Sequence, residues 1–168
     1  MPKLDRQRIL ALNIHPRRFG FVVFEGPART LDWGARSTRG KTGAPRVPLG
    51  PKVAKLIVEY VPEAVVLTQP NTAESKRSVD KIMKHIRTHN IRTRMLSSKA
   101  VKRVFAGRND NKDRIASAVA EQFPELLSIL PPRRRPWQSE DYRMTIFDAA
   151  AVGIAYFAEK APKNPVPP

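Results

Sequence analysis

Basic side chains recur in short groups along this 168-residue chain, and the chemistry they share is phosphate binding. Arg17 and Arg18 follow a His-Pro pair, and Arg39, Lys41 and Arg46 lie in a stretch rich in Gly and Pro. Lys76, Arg77, Lys81 and Lys84 share one face of an expected helix. Lys99, Lys102, Arg103 and Arg108 precede Lys112, and Arg133, Arg134 and Arg135 border Trp137. Guanidinium and ammonium groups give charge-assisted hydrogen bonds to phosphate oxygens, and each contact releases condensed counterions. Any one group is more often a solvated face than a binding site. Taken together, 31 Lys and Arg stand against 15 Asp and Glu, a formal charge of +16. That excess favours a continuous patch and a polyanionic partner. Nucleic acid fits better than an anionic membrane, because no strongly apolar face accompanies the cations. Trp137 beside three arginines has the chemistry to stack on an unpaired base, yet such a Trp more often packs on its own domain, and packing is expected.

Other chemistries drop out. With no cysteine there are no disulfides, thiolate nucleophiles or cysteine-ligated zinc. No run of about 18 apolar residues is present, so no membrane span is expected. The opening MPKLDRQRILALNIHP lacks an apolar stretch ending in a cleavage site, so no secretory signal is expected, and a cytoplasmic location is the simplest reading. Neither a helix-turn-helix, an RNA-recognition signature nor a zinc module is visible. Recognition by backbone and shape is therefore expected, with affinity that falls steeply with salt and depends little on base sequence.

The elements that must position these side chains are legible from periodicity. Arg8 to His15 and Phe19 to Phe24 read as strands joined by HPRR. Arg29 to Gly34 offers a third, with Leu31 and Trp33 on one face, and short turns make the three antiparallel. Residues 35–51 read as a mobile Gly/Pro loop. Lys52 to Tyr60 is a helix ended by Pro62, and Ala64 to Leu67 a short buried strand. Asn71 and Glu74 stand in capping-box spacing before a helix whose buried stripe is Val79, Ile82, Met83 and Ile86. Ile91 to Leu96 is a fifth strand. Ser97 or Ser98 caps a short helix that buries Val101, Val104 and Phe105. Asn111 to Phe123 is helical, Pro131 to Trp137 is an exposed basic loop, and the last helix runs from about Arg143 to Glu159. Residues 162–168 form a Pro-rich tail expected to be disordered. The expected architecture is one α/β domain over residues 1–161, a mixed five-stranded sheet with helices on both faces. Its helix-linked strands run parallel through right-handed crossovers.

The order of elements and four segments resemble the RuvC family of Holliday-junction resolvases and the related YqgF-type domains, of ribonuclease-H-like fold. The likeness covers about Ile9 to Phe157. ILALNIHPRRFGFVVF is similar to the family's opening hairpin, where a strand ends in a catalytic Asp and a Gly starts strand two. VPEAVVLTQP resembles the strand that delivers a catalytic Glu. SSKAVKRVFAGRNDNKDRIASAVAEQFPEL resembles the segment in which a Val-Lys element and a Gly turn precede a Lys-led helix. IFDAAAVGIAYF resembles the final helix, which carries two Asp three apart.

What the resemblance implies is a site in which several carboxylates hold two Mg²⁺ or Mn²⁺ ions about 3.5–4 Å apart. Taking the spacing to Gly20 as the guide, the strand-one Asp falls on Asn13, with His15 the alternative if the register slips. The strand-four Glu falls on Thr68, next to Gln69. Of the final pair, Asp148 is present and the second falls on Ala151. One carboxylate with neutral donors such as Asn13 should hold a single ion weakly. The expectation is thus a DNA-binding protein, with DNA favoured over RNA, whose two-metal cleavage is impaired or absent. Resolvases act as homodimers, so a homodimer is implied too. Plainer readings stand beside these. Asn13 can simply satisfy a strand end, Thr68 be an ordinary strand residue, and Asp148 a first-turn acid favoured by the helix dipole. Glu74, Glu140 or Asp141 can swing in to rebuild an active nuclease, the last two only if the chain bends before Asp148. His15 beside Pro16 can be a base or ligand, although a lone His near a turn is more often on the surface. A basic RNA- or ribosome-associated structural protein is the remaining alternative.

Overall fold

The computed structural model describes residues 3–40, 42–105 and 111–161. Lys41, Arg108 and the Pro-rich tail at 162–168 lie outside the described residues. The strands are β1 (Arg8–Ile14), β2 (Arg18–Glu25), β3 (Thr30–Ser37), β4 (Ala64–Thr68) and β5 (Arg92–Leu96). The helices are α1 (Leu49–Tyr60), α2 (Ala73–Arg87), α3 (Ser98–Val104), α4 (Lys112–Gln122) and α5 (Met144–Lys160), with 3₁₀ turns at Lys3–Arg6 and Pro124–Ile129. The sheet order is β3-β2-β1-β4-β5; the first three strands pair antiparallel, and β4 and β5 join parallel to β1. This is the mixed five-stranded α/β sheet that the sequence leads one to expect.

Alternation along the strands divides the apolar residues between two layers. Leu10, Leu12, Phe19, Phe21, Val65 and Leu67 face α1 and α2. Ile9, Ala11, Val22, Phe24, Ala64 and Val66 face α3, α4 and α5. Helix α5 is buried on almost every side: 13 of its 17 residues are inaccessible, so it is a central pillar rather than an amphipathic cover. It can lie close because Gly20 stands opposite Thr145, where a Cβ would overlap the Thr145 carbonyl. On β1, Asn13 takes the next position after Ile9 and Ala11 on this face. The fold thereby delivers it toward α5.

Several local expectations are corrected. Leu31 and Trp33 do not share a face: the β2–β3 register shifts between Val23 and Phe24, so Leu31 packs with the α1/α2 layer and Trp33 with the α5 layer. Strand β3 runs on to Ser37 and α1 starts at Leu49, one turn early, because Pro51 is tolerated in a first helical turn. The irregular stretch between them is bonded near its two ends, where Thr38 N donates to the Arg17 carbonyl and Val47 N to the Thr38 carbonyl. Thr72, not Asn71, caps α2, its hydroxyl accepting from Ser75 N. Val104 is 41% exposed, while Val101 and Phe105 are buried.

Candidate functional site

Four elements converge beyond the C-terminal end of β1. Asn13 and His15 come from β1 and its turn, Thr68 and Gln69 from the end of β4, Lys112 from the start of α4, and Asp148 and Ala151 from α5. They line one cleft of about 180 Å³, together with Lys102 of α3. The four positions marked by the sequence, Asn13, Thr68, Asp148 and Ala151, are thus brought together. Asp148 stands beyond the first turn of α5, which overturns the reading of it as a first-turn acid.

The charge arrangement is centred on Lys112. Its ammonium lies 3.5 Å from Asp148 Oδ2 and 3.1 Å from Glu140 Oε1. The irregular chain ahead of α5 bends, as required, to bring Glu140 in. Asp141 is turned away instead: its carboxylate accepts two bonds from the Arg143 side chain, at 2.7 and 2.9 Å, which hold it below the ordinary carboxylate range. Glu74 is exposed on α2 and does not line the cleft. Burial pushes Asp148 up to about 6, against the pull of the Lys112 charge and with a smaller push from Glu140. The two carboxylates and burial act on Lys112 in opposite senses, and the net result holds its ammonium above the ordinary lysine range.

Two orphan polar atoms mark the floor. Asn13 Oδ1 and His15 Nε2 are buried without a hydrogen-bond partner. Burial, and then the charges of Arg18 and Lys112, hold His15 below its ordinary value, so it is neutral at pH 7. His15 therefore does not follow the surface expectation; it faces the cleft. Its position owes something to a tight turn in which its backbone N–H donates to the Arg18 carbonyl at 2.8 Å.

These donors do not fit a pair of Mg²⁺ ions. Mg²⁺ requires near-octahedral oxygen ligation with anionic support. Here the described lining supplies one carboxylate, Asp148, among neutral amide, hydroxyl and imidazole groups, and that carboxylate already faces an ammonium. Among the described residues no cluster of three or more His, Cys, Asp or Glu side chains is placed to hold a metal.

The basic residues divide by place. Lys102 and Lys112 reach the cleft. Arg17 and Arg18 line a neighbouring groove with Arg36, Arg39 and Arg46. Lys99 and Arg103 are exposed on α3. Lys76 and Arg77 follow Ser75, which lines the cleft, whereas Lys81 and Lys84 lie farther along the outer face of α2. Arg133, Arg134 and Arg135 are exposed, and Arg135 lies over the Trp137 ring at 5.6 Å. Trp137 is 75% exposed, so its expected packing on the domain is not found. Reading the sequence missed Arg36 and Tyr142, because each gains significance only when β3 and the segment before α5 meet the β1–β2 turn.

No family model matches the sequence, and no curated protein does. Solved structures do. RuvC of Thermus thermophilus bound to a Holliday junction substrate superposes with a TM-score of 0.65 at 14% identity, over 92% of this chain and 95% of that one. A second Thermus thermophilus RuvC structure gives 0.65 at 15%, over 92% and 96%. Fowlpox virus resolvase in complex with Holliday junction DNA gives 0.50 at 12%, over 92% and 99%. The fold is that of RuvC.

Proposed function

We propose that this chain uses a RuvC fold to bind branched or structured DNA by its backbone and shape, without two-metal cleavage of the phosphodiester. The observation that carries the reading is the Lys112 ammonium lodged between Asp148 and Glu140. Two divalent ions would bring four positive charges to a cleft whose one carboxylate, Asp148, already shares the Lys112 cation with Glu140 beside it, and Asn13, Thr68 and Ala151 add no anion. A single Mg²⁺ or Mn²⁺ would have to displace Lys112, which makes any such ion weakly held. DNA binding is supported by the +16 charge and by structural neighbours solved with Holliday junctions.

The direct test incubates the protein with four-way junction, forked and single-stranded DNA in Mg²⁺ and in Mn²⁺. Binding without cleavage is expected, with affinity falling steeply as salt rises. Cleavage that is lost in Asp148→Asn would refute the reading. It would favour an active nuclease rebuilt around Glu140, the one extra acid among the described residues that reaches the cluster. Preference for structured RNA over a junction in competition would replace DNA as the ligand. The symmetric junction in the neighbours' complexes makes a homodimer part of the proposal, and sedimentation velocity tests it.

A further inference from the structure

The β1–β2 turn has two sides. One faces the cleft through His15; the other opens into a groove of about 620 Å³ lined by Arg17, Arg18, Arg36, Arg39, Arg46 and Tyr142. Among the described residues no acidic side chain lines it. None of the five arginines forms an ion pair among the described residues. Asp141 feels the charge of Arg18, but its oxygens are taken by Arg143. Five guanidinium groups without counter-charges repel one another, an arrangement that an incoming polyanion relieves.

The groove is also built rather than loose. The Arg17 carbonyl accepts from Thr38 N at 2.9 Å, the Thr38 carbonyl accepts from Val47 N at 3.0 Å, and Lys52 Nζ donates to the Ser37 carbonyl at 2.6 Å. These bonds tie together the backbones carrying Arg17, Arg39 and Arg46, and the Arg36 guanidinium is steadied 4.9 Å over the Phe21 ring. Tyr142 is 56% exposed on the wall of this groove. A duplex offers only phosphates and groove edges to such a surface, because its base faces are stacked. A strand with unpaired bases offers both the anion and the aromatic face that an arginine groove with one open tyrosine can take.

We propose that this groove seats an unpaired DNA strand, with phosphates on the five arginines and a base stacked on Tyr142. The inference rests on the DNA-binding reading and deepens it: the preferred DNA has open bases beside the branch, not paired arms alone. Three labelled probes test it by fluorescence anisotropy: a mixed-sequence single-stranded DNA, the matching blunt duplex, and single-stranded RNA of the same sequence. Tyr142→Ala is expected to weaken single-stranded DNA binding about fivefold to a hundredfold. It leaves duplex affinity and melting temperature unchanged, while Tyr142→Phe retains binding. Arg39→Ala with Arg46→Ala is expected to reduce the salt slope on the single strand by about 0.7 per lost phosphate contact. Equal loss on strand and duplex, or no loss on either, overturns the proposal, as does a wild-type protein that ignores single strands at low salt. Tighter Tyr142-dependent binding of the RNA overturns the assignment to DNA. Failure to bind any DNA, duplex and junction included, sinks the parent reading, whereas intact duplex and junction binding without a Tyr142 effect sinks only this one.

Discussion

Asp148→Asn should make the protein more stable at neutral pH, although it alters the one acidic residue at the four positions that define the cleft. The reasoning runs through linkage. In the folded chain burial raises Asp148 from the ordinary 3.8 to about 6. Between those values the native state keeps a proton that the unfolded chain has released, so stability falls as pH rises through this window. Above about 6 the loss is complete. The gap, at about 1.4 kcal/mol per pH unit, amounts to about 3 kcal/mol. The Asp148 side chain is 19% exposed, so solvent screening discounts this only modestly. The favourable pull of Lys112 is already contained in the shift, and a side-chain amide can still accept a hydrogen bond from that ammonium.

For a chain of this length about 3 kcal/mol corresponds to a rise in Tm of about 6–12 °C. The assay is thermal unfolding of wild type and Asp148→Asn, side by side, at pH 3.5, 5 and 7.5. The two proteins should melt close together at the lowest pH and diverge as pH rises, with Asn the more stable. Common acid effects cancel in the difference. If Asp148→Asn melts below wild type at pH 7.5, or if the gap does not change with pH, then the carboxylate is not held against its solvation and the account of the cleft fails.

Other outcomes follow from the same contacts. Lys112→Met removes the cation that draws Asp148 down, so Asp148 should rise further above about 6, read by pH-dependent unfolding or by carboxylate NMR. In that variant Mn²⁺ should raise Tm by occupying the vacated place, whereas wild type should respond little; equal responses would show that Lys112 does not compete with metal. Gly20→Ala should cost about 1–3 kcal/mol in urea unfolding, because the new methyl overlaps the Thr145 carbonyl where β2 meets α5. An unchanged midpoint would mean that α5 shifts freely on the sheet.

Much of this was legible in the chain because period and position are local properties. Alternating apolar residues in β1 and β2 set which face each side chain takes, and Asn13, two residues beyond Ala11, had to point at whatever covered that face. The chain could not show what would meet it there. Glu140 and Lys112 lie 28 residues apart, and their pairing depends on an irregular segment whose path no periodicity encodes. The same holds for Tyr142, which sits next to two acids in sequence but among arginines in space. Leu31 failed for a different reason: a single register shift between Val23 and Phe24 exchanges faces, and a two-residue alternation has no means of announcing it.

The cleft and the arginine groove share the β1–β2 turn, and their electrostatics are opposite in kind. In the cleft, the central charges are closed on one another: Lys112 is shared by Asp148 and Glu140, His15 is neutral, and Lys102 at the lining is the other charged side chain. In the groove it is open, five guanidinium groups without an acid among its lining residues. On the proposed reading an anionic strand is drawn first to the groove, while in the cleft Asn13 Oδ1 and His15 Nε2 stay buried without partners. Such a division is what the proposed function requires, an unpaired strand held at the groove and no metal pair at the cleft. A two-metal hydrolase would need the reverse distribution at this turn, with uncompensated anions in the cleft to gather cations before the strand arrives.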